Sequence, residues 1–570
     1  MTMSYDKNHE LASDRLGEAF WRAQAELLDW HTPFQRVVER VDNGPRSRWF
    51  IGGKTNLCHN ALDRHLAEKA DKTALIHCDY AGKVAKYTYR QLHQEVLAMA
   101  WILHRQGIGV GDRVFICLPM IPLAAIAMLA CCRLGALHVV VYSGLTSEPL
   151  AQRIQASRPK AIVKYGAPRD RHTDEQLMQA LRRSGHHCSV IDVSSAGFQQ
   201  DYARRRGKPL PCCWLPSETP SHLLYTSGTT GLPKGIVRDT GGYAVALLAS
   251  LQHIFHLDDD EIFFTSADVG WVTGHSYGIY APLLAGITTV LVEASRLNKP
   301  GARWWRLVEQ LGITRMLTIP GAMRLARRQR KTAADIRSLR AIYLAGEPLD
   351  APTRQWVSDF TGIQAEDHYW QTESGWPILA GAAGELRPVL PRDVTVLDDI
   401  SGAPCADNVP GMLVIRDTLG PGGMQTVWRD DVEHDQRYWR QEGDRWLYFT
   451  HDRAVRNPQG AICVLGRMDD VINVGGKRLS TVEIERTIMV IDGVSEAAAV
   501  GMAHSLLGQM VGLYVVTPYR TRAQRRALQQ EIRRRVINDC GRHALPRHIY
   551  FVVELPRTFS GKVIRKQLAV

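Results

Sequence analysis

YTSGTTGLPKG, residues 225–235, decides how the rest of the chain is read. It packs four Thr or Ser hydroxyls, three glycines and one lysine into eleven residues. Leu223 and Leu224 lead into it as the end of an apolar strand. Gly228, Gly231 and Gly235 free the backbone to turn tightly, so that N–H groups converge on an anion. Thr226, Ser227, Thr229 and Thr230 add hydroxyl donors, and Lys234 adds a positive charge. This is the composition of a phosphate cradle. It is not a Walker A loop, because no Gly-Lys-Ser/Thr follows a glycine at the required spacing.

Outward from that loop, β-branched runs alternate with helix-like segments. They fall at 113–118, 139–142, 161–163, 262–264, 288–292, 316–319 and 341–344. The alternation predicts an α/β fold of parallel sheets covered by helices. The uncharged stretch 114–132 approaches the ~18 residues of a membrane span, but Pro119 and Pro122 cut it. It reads as strand, loop, helix, strand in a buried βαβ unit. From about 385 to 465, short strands are punctuated by Gly, Pro and Asp, which predicts a smaller barrel-like or antiparallel unit. After 466–470 (GRMDD) comes a compact α+β tail of about 100 residues. Residues 1–70 read as a helical, Trp-containing N-terminal segment. The expected division is 1–70, a large domain over 71–466 and a small mobile domain over 467–570.

The composition is that of an ordinary globular protein, 45% hydrophobic and 22% charged over 570 residues. The net charge of +12 suits an acidic partner, a phosphorylated small molecule among them. Much of it lies in the Arg-rich stretch 520–535, where Leu528, Ile532 and Val536 recur every four residues. That pattern predicts an amphipathic helix with a basic solvent face. No aromatic-basic RNA module accompanies it, so nucleic acid is not an expected partner. The eleven cysteines include no CxxC pair, and no Cys/His spacing resembles a zinc site. Reduced thiols in a cytoplasmic protein are the simplest reading. The polar, charged N-terminus is no secretory signal, and no membrane partner is expected.

Five further stretches give the loop its context. They are ADVGWVTGHSY (267–277), AGEP (345–348), YWQTE (369–373), GRMDDVINVGGKR (466–478) and LPRTFSGK (555–562). With YTSGTTGLPKG, they resemble in order the motifs of the adenylate-forming superfamily: acyl-CoA synthetases, peptide-synthetase adenylation domains and luciferases. TNLCHNALDR (55–64) resembles the N-terminal signature of the acetyl- and propionyl-CoA synthetases. RDTGGYAVAL (238–247) and YWQTESGWP (369–377) resemble the propionyl branch most closely.

The resemblance implies a two-step reaction with ATP, Mg2+ and coenzyme A. A short carboxylate attacks the α-phosphate to give acyl-AMP and pyrophosphate, and the CoA thiol then displaces AMP. It assigns Lys562 to the α-phosphate and carboxylate in the first step. Thr372 donates to the α-phosphate, and Glu373 holds Mg2+. Gly346, Glu347 and Pro348 flank adenine, Asp452 binds the ribose hydroxyls, and Arg467 and Arg478 contact ribose or phosphate. Asp469 is the hinge, and Gly476 lines the pantetheine path. Val272, Thr273, Ala345 and Trp370 form the acyl pocket. Trp370 is its floor, and Ala345 stands where acetate-specific relatives carry valine, which leaves room for propionate. The family also makes acetylation of Lys562, by a lysine acetyltransferase and its deacetylase, an expected control.

Two stretches depart from the family. Thr450-His451-Asp452 replaces Thr-Gly-Asp, and YGAPRDR (165–171) replaces an Arg-Gly-Gly segment tied to CoA. Arg169 or Arg171 stands in for the latter. Two alternatives stay open at this point: transfer to a carrier-protein phosphopantetheine, and a non-catalytic nucleotide-binding protein on the same fold.

Overall fold

The computed structural model describes residues 17–167, 170–227, 233–293, 302–328, 334–468, 471–474, 477–504, 507–557 and 563–568. Three sheets organise it. The first has seven strands, with Arg113–Cys117 lying between Leu137–Val140 and Ala161–Lys164, all three parallel. Pro220–Ser227 adds parallel to Leu137–Val140, then turns through the glycine-rich loop and pairs antiparallel with Pro233–Asp239. The phosphate-loop candidate thus joins two adjacent strands.

The 114–132 stretch folds as read. Pro122 occupies the first turn of helix Pro122–Leu134, where its missing N–H costs nothing. Gly135 ends the helix at φ 73, a left-handed conformation that glycine adopts without strain. No helix among the described residues is long and apolar enough to cross a membrane.

The second sheet is a run of fourteen strands. Its parallel part includes Ile262–Thr265, Thr288–Val292, Arg315–Thr318, Ala341–Ala345 and Glu366–Tyr369. From Leu379–Ala382 onward the pairing turns antiparallel, through Glu385–Pro388, Ile462–Arg467, Arg445–Arg456 and Gly411–Arg416. The strand-rich stretch therefore continues the same sheet edge to edge, while keeping an apolar cluster of its own around Leu413, Ile415 and Tyr448. The third sheet, of five strands, lies wholly beyond residue 470. Helix Arg522–Cys540 packs there through Leu528, Ile532 and Val536, the three positions its periodicity singled out.

The N-terminal segment is less helical than its sequence reads. Helix Glu18–Ala25 is followed by a hairpin, Arg36–Arg40 against Ser47–Ile51. Asp42 and Asn43 take φ 50 and 54 at its turn, which these two residue types tolerate best after glycine. Trp21 anchors the segment, edge-on to Trp49 at 6.2 Å and to Trp376 at 5.6 Å. Helix and hairpin each send a tryptophan, Trp21 and Trp49, into one core.

Candidate active site

The two strands flanking the loop carry its chemistry inward. Thr226 and Lys234 are register partners across the hairpin. Lys234 is buried, and its ammonium contacts the Glu433 carboxylate on helix Asp431–Tyr438. It also lies 5.9 Å from the centre of the Tyr438 ring. Tyr438 donates to Glu373 Oε1 at 3.0 Å and stacks flat on Tyr448. Four residues beyond Lys234, on the same strand, the fully buried Arg238 donates to the Thr372 carbonyl and, at 3.0 Å, to the Gly422 carbonyl. Met424 N–H donates to the Glu373 carbonyl at 2.7 Å. The turn bearing Thr372 and Glu373 is thus fixed from the phosphate-loop hairpin itself.

A second cluster surrounds Asp452. Its Oδ2 accepts from Tyr369 Oη and from Gln371 Nε2, each at 2.5 Å. Tyr448 Oη donates to Gln371 Oε1 at 3.1 Å, and Arg467 Nε lies 3.9 Å from Asp452 Oδ1. Burial and the Asp452 carboxylate push the Tyr369 phenol well above its usual range, so it remains a donor. His451 adopts φ 57, the left-handed region. That is the backbone a glycine supplies at lowest cost, so the histidine in Thr450-His451-Asp452 keeps a glycine-like turn at this position.

Gly346 has φ 97 just after strand Ala341–Ala345. Glu347 pairs with Arg324, which also reaches Asp350 at 3.1 Å. This corner meets the tail. Arg328, one turn from Arg324, and Arg557 both pair with Glu496 at 2.7 Å. Arg557 bridges to Val563, so the two ends of the segment bearing Lys562 are paired to each other. Ala345 is buried at the end of its strand, and Trp370 packs edge-on against Tyr277 at 5.4 Å. Val272 and Thr273 open the short helix Val272–His275, which runs into Tyr277.

Not every expected residue is placed. Gly228, Thr229, Thr230, Arg169, Asp469, Gly476 and Lys562 lie outside the described residues, as do the side chains of Ser227 and Arg478. Arg171 is on the surface, in a local ion pair with Glu175 one turn along its helix at 2.9 Å. Pro348 lies in the turn after Glu347. Residues not singled out from sequence carry much of the geometry: Arg238, Glu433, Tyr438, Tyr369, Gln371 and Tyr448. Arg238 had a signal, an arginine directly after the apolar pair Ile236-Val237 on strand Pro233–Asp239.

Similarity to known proteins agrees with this arrangement. Residues 62–428 match the family described as AMP-binding enzyme. Residues 5–61 match the acetyl-coenzyme A synthetase N-terminus, and 483–562 the AMP-binding enzyme C-terminal domain. A propionate–CoA ligase of Salmonella typhimurium is 40% identical, with 97% of this chain and 93% of that protein covered. An acetyl-coenzyme A synthetase of Methylorubrum extorquens is 35% identical over 97% of this chain and 89% of its own. Among solved structures, an anthranilate CoA ligase with anthranoyl-AMP superimposes with a TM-score of 0.79 at 22% identity, covering 90% of this chain and 96% of that one.

Proposed function

Because the chain belongs to the AMP-binding enzyme family, we propose that it makes short-chain acyl-CoA from propionate first and acetate second. It is an AMP-forming acid–thiol ligase that works through acyl-AMP, with ATP, Mg2+ and CoA as its small-molecule requirements. The observation that carries the choice of acid is a small buried Ala345 in the same hydrophobic cluster that Trp370, braced by Tyr277, packs against.

In this reading the ATP phosphates enter the hairpin loop and draw Lys234 away from Glu433. Thr226 and Thr372 supply hydroxyl donors to them. The Glu373 carboxylate, oriented by Tyr438, offers hard oxygen donors of the kind Mg2+ prefers. Bound there, Mg2+ neutralises phosphate charge. The Asp452 carboxylate, fixed by Tyr369 and Gln371, accepts the ribose hydroxyls, and the Gly346 to Pro348 turn borders adenine. Lys562 stabilises the charge that develops as the carboxylate attacks the α-phosphate. Rotation at Asp469 then withdraws it together with Arg478, which contacts the adenylate phosphate in the adenylation arrangement, and the CoA thiol enters past Gly476 with Arg169 and Arg171 near its phosphates. Acetylation of Lys562 removes the charge the first step needs, which makes it a control point for an acetyltransferase and deacetylase pair. We place the enzyme in the cytosol, where its free cysteines stay reduced.

Pyrophosphate release with acetate, propionate, butyrate and branched acids, each with and without CoA, tests the reading. The expected result is the highest kcat/KM for propionate and a propionyl-CoA product. A higher kcat/KM for butyrate or a branched acid overturns the pocket argument. Acyl-AMP formation with no thioester overturns CoA as the acceptor.

A further inference from the structure

Three histidines meet next to the acyl pocket, where the ligase reaction has no use for them. His138 lies on strand Leu137–Val140 and His222 on the neighbouring Pro220–Ser227, in register with each other. His275 closes the helix that begins with Val272 and Thr273. All three side chains are fully buried. The rings of His138 and His275 lie parallel within 13° at 5.1 Å, and those of His222 and His275 are 4.2 Å apart.

Their nitrogens divide into two sets. The outer ones face hydroxyls: His275 Nδ1 is 3.0 Å from Tyr243 Oη, and His222 Nδ1 is 2.8 Å from Ser221 Oγ. The inner ones converge: His138 Nε2 and His275 Nε2 are 2.9 Å apart. His222 Nε2 has no hydrogen-bond partner among the described residues. A ring nitrogen of each histidine lies within 4.8 Å of one from each of the other two. An orphaned polar atom at full burial requires an explanation, and a ligand is one. A neutral imidazole keeps one ring-nitrogen lone pair free to bind a metal.

We propose that His138, His222 and His275 bind one transition-metal ion of the zinc class. Zinc sits roughly 2.0–2.1 Å from imidazole nitrogen, so tetrahedral ligands stand about 3.3 Å apart. The 2.9 Å between His138 Nε2 and His275 Nε2 lies just inside that spacing, and a nitrogen of His222 lies within 4.8 Å of both rings' ligand atoms. The hydroxyls of Tyr243 and Ser221 accept from the outer N–H groups of His275 and His222, which fixes the tautomer and aim of those two rings, while the outer nitrogen of His138 faces Cys132 Sγ at 3.8 Å. The Tyr280 hydroxyl, 3.1 Å from His138 Nε2, borders the fourth position. Imidazole ligands favour zinc, copper or nickel over Mg2+, so this site and Glu373 do not compete for one ion. Burial holds the pKa of the Arg238 cation near the cluster below the usual value, and Tyr243, Glu373 and Asp239 offset the cation only partly. A bound ion ties two strands of the phosphate-loop sheet to the helix that carries Val272 and Thr273. Its role is to set the shape of the acyl pocket rather than to take part in bond making.

The test is metal content and thermal stability of the full-length protein. It is stripped by dialysis against dipicolinate, reloaded with Zn2+ or Co2+, desalted and analysed by mass spectrometry. The expected result is about one ion per chain, with a thermal midpoint raised by Zn2+ and not by Mg2+. Bound Co2+ should show the visible bands of a four-coordinate site. His222→Phe should lose the ion while remaining folded without metal, because it removes the orphaned nitrogen. His222→Gln serves as a second variant should the ring not fit. Retention of less than ~0.1 ion per chain by the wild type overturns the proposal. So does an unchanged metal content in both variants, which assigns the ion to surface histidines.

Discussion

Replacing Glu433 by glutamine removes the carboxylate that now occupies Lys234. The substitution keeps the side-chain shape at the third residue of helix Asp431–Tyr438, whose first turn is capped by Asp430 accepting from the Glu433 N–H at 2.9 Å. The pair is neither surface nor core: Lys234 is 9% exposed and Glu433 28%. Exposed pairs are worth about 0.2–1 kcal/mol, while breaking a buried pair costs about 3–5 kcal/mol. An intermediate value of about 1–2 kcal/mol is the cost that ATP meets when its phosphates displace Glu433. Removing that competitor should lower KM for ATP by roughly 5- to 30-fold, since each 1.4 kcal/mol is about tenfold. Initial rates of pyrophosphate release at saturating propionate measure it. KM for propionate should stay the same within about twofold, since nothing places Glu433 beside the acyl pocket. Glu433→Asp should behave as the wild type if the shorter carboxylate still reaches. A KM for ATP that is unchanged or higher in Glu433→Gln refutes the reasoning: Lys234 then either misses the phosphates or keeps Glu433 while ATP is bound.

Lys562→Ala should abolish acyl-AMP formation but spare thioester formation from supplied acyl-AMP; equal loss of both steps, followed by product mass spectrometry, counts against a withdrawn lysine. Ala345→Val should invert the acid preference, because methylene-scale discrimination is about 1–3 kcal/mol. The propionate kcat/KM should fall roughly 10- to 100-fold with acetate little affected, and an equal loss for both acids places Ala345 outside the pocket. His65 is pushed down to about 4, first by burial and then by the Arg64 and Lys69 charges. Below about 6.5 the unfolded chain takes up a proton that the folded chain refuses. Stability is therefore lost as pH falls from about 6.5 toward about 4, and His65→Gln should flatten urea-unfolding stability by about 1.4 kcal/mol per pH unit across that window.

What the sequence made legible follows from what local patterns encode. The β-branched runs from 113 to 344 fall on strands because a buried parallel strand needs a short continuous apolar stretch and little else. Helix Arg522–Cys540 was readable because its apolar positions recur at one turn's spacing. The hairpin of Arg36–Arg40 and Ser47–Ile51 was hidden because its aromatics serve tertiary packing, and their spacing fits no single element. The site divides the same way. Thr226, Lys234, Thr372 and Glu373 sit in compact motifs. Their partners Glu433, Tyr438 and Tyr448 do not, since the contacts are made across 65 to 199 residues of chain. The three histidines are the extreme case: residues 138, 222 and 275 have no common spacing, and only the sheet register and one short helix bring them together.

The tail adds a physical constraint of its own. Its apolar clusters draw only on residues from 472 onward, and the clusters of the rest of the chain stop before it. Among the described residues, the contacts that join the two include the Arg328–Glu496 pair and the Ser480 and Arg486 bonds to 463–465. An apolar interface resists sliding because all of its buried area is lost at once, at about 25 cal/mol per Å². Partly exposed ion pairs are different: each is worth about 0–1 kcal/mol, and water replaces it on separation. A joint made this way can be remade in another orientation at little net cost. That is what a lysine delivered for adenylation and then withdrawn for thioester formation requires of the segment that carries it. Arg328, which holds Glu496, lies one turn from Arg324, which holds Glu347, so the joint and the proposed adenine corner share one patch of charge. In the proposed reading, a nucleotide bound at that corner and the docked tail act on one set of neighbouring charges.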